Sequence, residues 1–125
     1  SDPFRYQSFF KGKITLPAGA KILSGGLFQG CGKITHIFIK DINNSTLDTL
    51  GYYAFSACSS LEYLEVPKSL ISIDGNACLG CRALKYFGVS LPDNTTREDF
   101  IKNYSSRKIL IPSSVTILYL LSYVL

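Results

Sequence analysis

The sequence predicts a single solenoid domain over residues 1–125, mainly β with short helical turns, in which about four to five stacked coils share a parallel sheet. Two observations carry this prediction. A Cys column recurs at steps of 27, 23 and 22 residues, through Cys31, Cys58, Cys81 and Asn103. Apolar residues also keep fixed offsets from that column, and such periods are typical of repeat units that bury their apolar edges only by stacking.

Each copy of the repeat carries the same apolar columns around its Cys position. The residues at offsets of six and eight alternate with outward residues, which predicts a strand with one buried face. Pro67 and Pro112 follow directly and end the strand, because proline fixes φ and removes a ladder donor. The columns at offsets of minus three, three, six and eight are Phe28, Phe55, Cys78 and Phe100; Ile34, Leu61 and Leu84; Ile37, Leu64, Phe87 and Ile109; and Ile39, Val66, Val89 and Ile111.

The remaining segments complete each coil. Residues 70–73 turn the chain along a second side as a short extended segment. Residues 54–58 are too few for a full helix and predict one tight helical turn, with Phe55 filling the interior. Side chains of the Cys column could satisfy buried backbone groups between coils. Residues 1–13 fit the repeat poorly and suggest an N-terminal cap or a degraded repeat, and 119–125 suggest a C-terminal cap.

These columns resemble the BspA-like class of leucine-rich repeats, whose unit reads Pro-x-x-Val-x-x-Ile-Gly-x-x-Ala-Phe-x-x-Cys-x-x-Leu-x-x-Ile-x-Ile. The best-preserved copies are residues 47–66 and 67–89, and the similarity covers residues 14–118. The chain departs from the unit at Cys78, at Asn103 and in an insertion at 41–46. The resemblance implies a right-handed solenoid of a kind common in surface proteins and often linked to adhesion and protein binding.

Composition narrows the classes of partner. The net charge is +4, and the basic residues are scattered without a run of five, so we expect no nucleic-acid partner. The apolar run at 115–125 is shorter than the about 20 residues that span a bilayer, so we expect no transmembrane segment in this chain. Residues 117–125 of this run favour end-to-end self-association unless they cap the last coil.

Catalytic and metal-binding groupings are sparse. His36 is the only histidine, and Glu62 and Glu65 point to opposite sides of a strand, so we expect no enzyme and no cofactor. Cys78 and Cys81 form a C-x-x-C motif that is compatible with a thiol redox or metal site. Each already has a place in the repeat, which favours buried structural thiols, and we expect the Cys ladder to carry no disulfide.

The outward side of the strands is the candidate binding surface. We expect an exposed aromatic row to bind a protein there, since large, rigid and amphipathic side chains suit protein contacts. The alternative is that aromatic residues simply stack across strands for stability. Alanine at Tyr63 and Tyr86 is expected to abolish binding and leave the fold intact. The predicted protein-binding residues are His36, Phe38, Tyr63, Glu65 and Tyr86.

Three functions are compatible with these features. The first is a non-enzymatic interaction module of a cell-surface or secreted adhesion-type protein, which binds through the strand face. The second is an intracellular, cytoplasmic scaffold that uses the same face. The third is a thiol redox or metal-binding protein that uses Cys78 and Cys81, and it is the least favoured of the three.

Overall fold

The structure is a computed structural model that describes residues 9–23, 28–74, 76–88, 98, 108–109 and 117–118. In these ranges the chain forms a parallel-strand solenoid with almost no helix, as the repeat predicts. One short 3-10 helix, Ile42–Asn44, occupies the insertion between the second and third coils, and Asp41 precedes it in the left-handed conformation. Strand residues on either side of the insertion keep their inter-coil pairs, Leu16 with Ile39 and Leu23 with Leu50.

The predicted parallel sheet is present and has five strands in the order β1-β3-β5-β7-β8. Neighbouring strands pair in the register that the repeat predicts, so that His36 pairs with Tyr63 and Tyr63 pairs with Tyr86. The first pair, β1 with β3, has an irregularity between Gly12 and Lys13, where Gly12 has a φ of 70°. The strands are β1 (Gly12–Leu16), β3 (Ile34–Ile39), β5 (Tyr63–Glu65), β7 (Tyr86–Gly88) and β8 (Lys108–Ile109).

A second parallel sheet forms another side of the coils, with the order β2-β4-β6-β9. Each of its strands is only two residues long. Leu50 and Ile73 point into the core and are fully buried, while Thr49 and Ser72 pair with each other on the outward side. The strands are β2 (Ile22–Leu23), β4 (Thr49–Leu50), β6 (Ser72–Ile73) and β9 (Ile117–Leu118).

The core lies between the two sheets and is made of the predicted columns. Phe28 and Phe55 stack with ring centroids 5.7 Å apart and planes 12° apart, so the Phe column is continuous between coils. Cys78 takes the same column in the next coil and is also buried. The other buried columns are Cys31, Cys58 and Cys81; Ile34, Leu61 and Leu84; Ile37, Leu64 and Phe87; and Ile39 and Val66.

In the coils that the structure describes, the third side is a run of turns, not the tight helical turn that residues 54–58 predict. Backbone N–H groups bond three residues back, from Ser56 to Tyr53 and from Cys58 to Phe55, but Tyr53 and Ala57 have φ values of 57° and 60°. These left-handed residues interrupt a helix. They also direct the Ala57 amide to the Leu79 carbonyl in the next coil, 2.6 Å away.

The Cys column satisfies backbone groups between coils, as expected. The Cys58 thiol donates to the Phe28 carbonyl and the Cys81 thiol donates to the Phe55 carbonyl, both at 3.0 Å. Each of these carbonyls also accepts the backbone amide three residues later in its own turn, from Cys31 and Cys58, so the thiol is a second donor from the next coil. The ladder is therefore an inter-coil hydrogen-bonding device as well as a packing column.

The solenoid makes about three turns, slightly fewer than the four to five coils predicted. In the part of the chain that the structure describes, β7 has no counterpart in the second sheet, since β6 pairs directly with β9. Most of the two predicted caps, residues 1–8 and 119–125, lies outside the described residues. No helix in the described ranges has the length and apolar character needed to cross a membrane.

Candidate binding face

The five predicted binding residues lie on one face of the five-stranded sheet. The sheet register aligns His36, Tyr63 and Tyr86 across β3, β5 and β7. Phe38 and Glu65 lie two residues further along β3 and β5, on the same face because strand side chains alternate. The structure therefore brings all five together, as the repeat register predicts.

The aromatic rings on this face form a continuous layer. Tyr63 and Tyr86 stack with centroids 4.7 Å apart and planes 14° apart. Tyr63 also meets Phe38 edge to face at 5.6 Å, and His36 lies 5.9 Å from the Tyr63 ring. Tyr63 is thus in contact with rings on three sides. Cross-strand aromatic pairs of this kind stabilise a sheet.

Glu65 is a buried carboxylate that joins two strands. Its Oε1 accepts a hydrogen bond from the Ile39 backbone N–H at 2.9 Å, and its Oε2 accepts one from the Tyr63 hydroxyl at 2.9 Å. The first bond satisfies the last amide of β3, and the second fixes the orientation of the central ring. Burial of a carboxylate is tolerated when such bonds compensate for lost hydration.

The prediction that this face is exposed is wrong. The exposed fraction is 0% for Tyr63, 1% for Tyr86, 5% for Glu65, 8% for His36 and 9% for Phe38. The packing of the rings against one another contributes to this burial. The five residues are shielded in the structure, and alanine at Tyr63 or Tyr86 would remove a buried ring and could not be neutral for the fold.

A signal for this burial is present in the sequence. Parallel strands that are covered on both faces read as near-continuous apolar runs instead of alternating ones. The run Ile34–Ile39, with Thr35 as its only half-buried member, has this character. In β5 the apolar run is interrupted by Glu65. A lone Glu in a strand suggests a solvent-exposed face unless its hydrogen-bond partners are known.

His36 has an unusual environment for an imidazole. A hydrogen bond of 2.8 Å joins Nδ1 to the Thr35 hydroxyl, while Nε2 is buried without a hydrogen-bond partner. Burial lowers the pKa of His36, with an opposing contribution from Glu62 and a further lowering from Lys13. The neutral imidazole is therefore the favoured form in the folded protein.

The face has an exposed border at β1. Lys13 and Thr15 pair in register with His36 and Phe38, and both are exposed. Glu62, on the opposite side of β5 from Glu65, forms an ion pair with Lys85 at 3.5 Å. The two glutamates are thus separated, as predicted, and the exposed Lys13 and Thr15 of the first strand border the aromatic layer.

The C-x-x-C motif lies at the turn corner and not on the strand face. All four cysteines are buried free thiols. A hydrogen bond between the two side chains lowers the pKa of Cys81 and, together with burial, raises the pKa of Cys78. Burial raises the pKa of Cys31 and Cys58. Within the described ranges no three His, Cys, Asp or Glu side chains are grouped so that they could hold a metal ion.

Comparison with protein families gives one match. The family model for the BspA type leucine rich repeat region matches residues 3–123 in six copies. The match spans nearly the whole chain and includes parts of both segments for which caps are predicted. No curated protein and no solved structure matches the sequence.

Proposed function

Because the chain belongs to the family of BspA-type leucine-rich-repeat proteins, we propose that it is a non-enzymatic protein-interaction module of a cell-surface or secreted protein of the adhesion type. The family suggests a protein-interaction role and is typically non-catalytic. It is commonly found in surface or secreted bacterial proteins. The repeats build a rigid scaffold with a broad sheet, which is the part of a solenoid that usually receives a partner.

We propose that the partner binds at the strand face, through the five predicted residues and their exposed border. The observation that supports this is the in-register layer of His36, Tyr63 and Tyr86, flanked by Phe38 and Glu65. On the neighbouring strand β1, Lys13 pairs with His36 and Thr15 pairs with Phe38, and both side chains are exposed. A partner would first contact this border, and contact with the rings would require that they become accessible on binding.

The test uses a photoreactive amino acid at Thr15, with the same group at Lys68 as a matched control. Both positions are exposed, but Lys68 follows Pro67 and lies beyond the end of β5. The purified chain is incubated with the surface and extracellular proteins of the source cells and then irradiated. We expect a discrete cross-linked protein from Thr15 and none from Lys68. Cross-links of equal yield from both sites, or none from Thr15, would exclude this face.

A second variant tests whether the charge of Lys13 contributes to binding of the partner that is cross-linked at Thr15. Lys13→Glu reverses an exposed charge on the border and leaves the core untouched. It should reduce the Thr15 cross-link to the same protein, whereas Lys68→Glu should leave it unchanged. An equal loss in both variants would indicate a nonspecific charge effect.

An intracellular scaffold is the second candidate function, and the thiols favour it. All four cysteines are free, which is usual in a reducing compartment and less usual in secreted proteins. Labelling of intact cells with a membrane-impermeant amine reagent distinguishes the two candidates. The chain is labelled if it is on the surface and is labelled only after lysis if it is an intracellular scaffold.

A further inference from the structure

Cys78 differs from the other three cysteines in its partner. Cys58 and Cys81 donate to carbonyls of the preceding coil. Cys78 takes a position in the Phe column, three residues before Cys81 in the same turn, and interaction between the two thiols raises the pKa of Cys78 and lowers that of Cys81. It is therefore the one cysteine of the chain that stands outside the ladder column and beside a second thiol of its own turn.

The backbone holds these two thiols in a geometry that suits a disulfide. The Cys81 amide donates to the Cys78 carbonyl at 3.1 Å, which closes a four-residue turn. Such a turn keeps its first and last Cα atoms within about 7 Å, and disulfides join Cα atoms about 4.4–6.8 Å apart. Gly80, with a φ of 82°, supplies the left-handed residue that this turn needs. Bond formation would thus need little movement of the chain.

The ladder cysteines suit a disulfide less well. Side chains stacked in register on neighbouring coils point the same way, so their Cβ atoms lie about as far apart as the strands, about 4.8 Å. Cβ atoms joined by a disulfide are about 3.5–4.5 Å apart. A bond between Cys58 and Cys81 would also remove the thiol donors to two carbonyls, whereas a bond between Cys78 and Cys81 removes only the thiol donor to the Phe55 carbonyl.

We propose that Cys78 and Cys81 are an oxidisable pair that closes to an internal disulfide with a small-molecule disulfide as oxidant, while Cys31 and Cys58 stay reduced. The Cys81 thiolate attacks one sulfur of the oxidant, forms a mixed disulfide and expels the first thiolate. Cys78 then loses its proton and attacks the Cys81 sulfur, which expels the second thiolate. Two protein thiols are oxidised, and one external disulfide is reduced to two thiols.

The order of attack follows from the environment of the two sulfurs. The thiolate is the attacking species, and the neighbouring Cys78 thiol lowers the pKa of Cys81, whereas the pKa of Cys78 is raised. Both thiols are buried, but Leu79 and Gly80 between them are partly exposed and Arg82 is exposed. The pair therefore lies directly beneath the surface, and opening of this one turn, or oxidation before the coil closes, gives the oxidant access.

The sequence offers a clean assay for this proposal. Trypsin cleaves after Lys68 and Arg82, so residues 69–82 contain both Cys78 and Cys81 and no other cysteine. Cys31 and Cys58 fall in separate peptides, 22–33 and 41–68. The chain is refolded in mixtures of reduced and oxidised glutathione, free thiols are blocked with N-ethylmaleimide, and the digest is weighed.

We expect peptide 69–82 to be lighter by two hydrogen atoms and unblocked, with N-ethylmaleimide on the other two cysteines. The same mixtures in urea give the reference, and the folded chain should be oxidised at a lower ratio of oxidised to reduced glutathione than the unfolded chain. A cross-link between peptides 41–68 and 69–82 would overturn the proposal. So would a folded chain that is harder to oxidise than the unfolded one.

Cys78→Ser is the control variant. It should yield no internal disulfide under any of these mixtures, and Cys81 should appear blocked or as its glutathione adduct. A disulfide between Cys58 and Cys81 in this variant, formed as readily as the wild-type bond, would show that the ladder is equally competent and would overturn the selectivity.

Discussion

The two sheets of this solenoid have the same parallel topology but use their outward faces differently. In the five-stranded sheet the outward residues of β3, β5 and β7 form a buried layer, with Tyr63 at 0% exposed. In the four-stranded sheet the outward positions of β2, β4 and β6 are at least partly accessible, and Ile22 is 58% exposed. The middle strands of the first sheet are therefore stabilised from both sides, whereas β4 and β6 of the second contribute one buried side chain each. The difference indicates that alternation in the sequence cannot by itself assign a strand face to solvent.

The largest expected effect is the loss of a buried ring from the outward face of the five-stranded sheet. Tyr63→Ala should lower the free energy of unfolding by about 3–5 kcal/mol, as truncation of buried aromatic residues does. Ile22→Ala, the matched truncation on the second sheet, should change it by less than about 0.5 kcal/mol. Urea unfolding followed by circular dichroism measures both. Similar losses in the two variants would mean that the sheets do not differ in this way.

A smaller loss of stability is expected from truncation of Glu65, the last residue of β5, or of Glu62, which directly precedes that strand. Glu65→Ala should cost about 2–3 kcal/mol. The Ile39 amide and the Tyr63 hydroxyl lose their acceptor at about 1–3 kcal/mol each, and the relief of a buried charge offsets part of that loss. Glu62→Ala breaks only the accessible pair with Lys85 and should cost less than about 1 kcal/mol. The same urea titration measures both losses in the free energy of unfolding. A larger loss for Glu62→Ala than for Glu65→Ala would contradict this prediction.

The smallest effect is a pH dependence from His36, because Glu62 opposes the lowering of its pKa by burial. In the unfolded chain the imidazole titrates near about 6.5, and in the folded chain its pKa is lower. As the pH falls below about 6.5, the unfolded state binds a proton that the folded state does not, so stability decreases. The loss ends below the folded pKa, where both states are protonated.

His36 is the only histidine, so its imidazole resonances in an NMR titration belong to it without further assignment. We expect a midpoint below that of a free histidine and a loss of stability over the same pH range. His36→Phe should flatten that part of the pH profile. A midpoint above 6.5 in the wild-type chain would contradict the buried, neutral imidazole.

Much of the fold is predictable from the sequence because the repeat fixes its own register. Once Cys31, Cys58 and Cys81 are aligned, the pairing of His36, Tyr63 and Tyr86 and the inward columns follow. The burial of those outward rings cannot be derived from a single copy of the repeat, because it depends on contacts between residues that are distant in sequence. The bond from the Ile39 amide to Glu65 is of this kind. The protein-binding role of the five residues stays a prediction.

The turn corner shows a second limit of pattern reasoning. The spacing of residues 54–58 suits a helical turn, yet Tyr53 and Ala57 adopt left-handed conformations. The local preference for a helical turn is overridden here because the Ala57 amide can then donate to the Leu79 carbonyl of the next coil. Inter-coil hydrogen bonds of this kind are invisible in a single repeat.

The thiol ladder has a consequence for the order in which the chain can fold during synthesis. The Phe28 carbonyl receives a second donor from the Cys58 thiol, 30 residues later, and the Phe55 carbonyl receives one from the Cys81 thiol, 26 residues later. Each carbonyl already accepts a backbone amide of its own turn, from Cys31 and from Cys58 respectively. A coil that has just left the ribosome can therefore close its turn alone, and the thiol bond forms only when the next coil stacks on it.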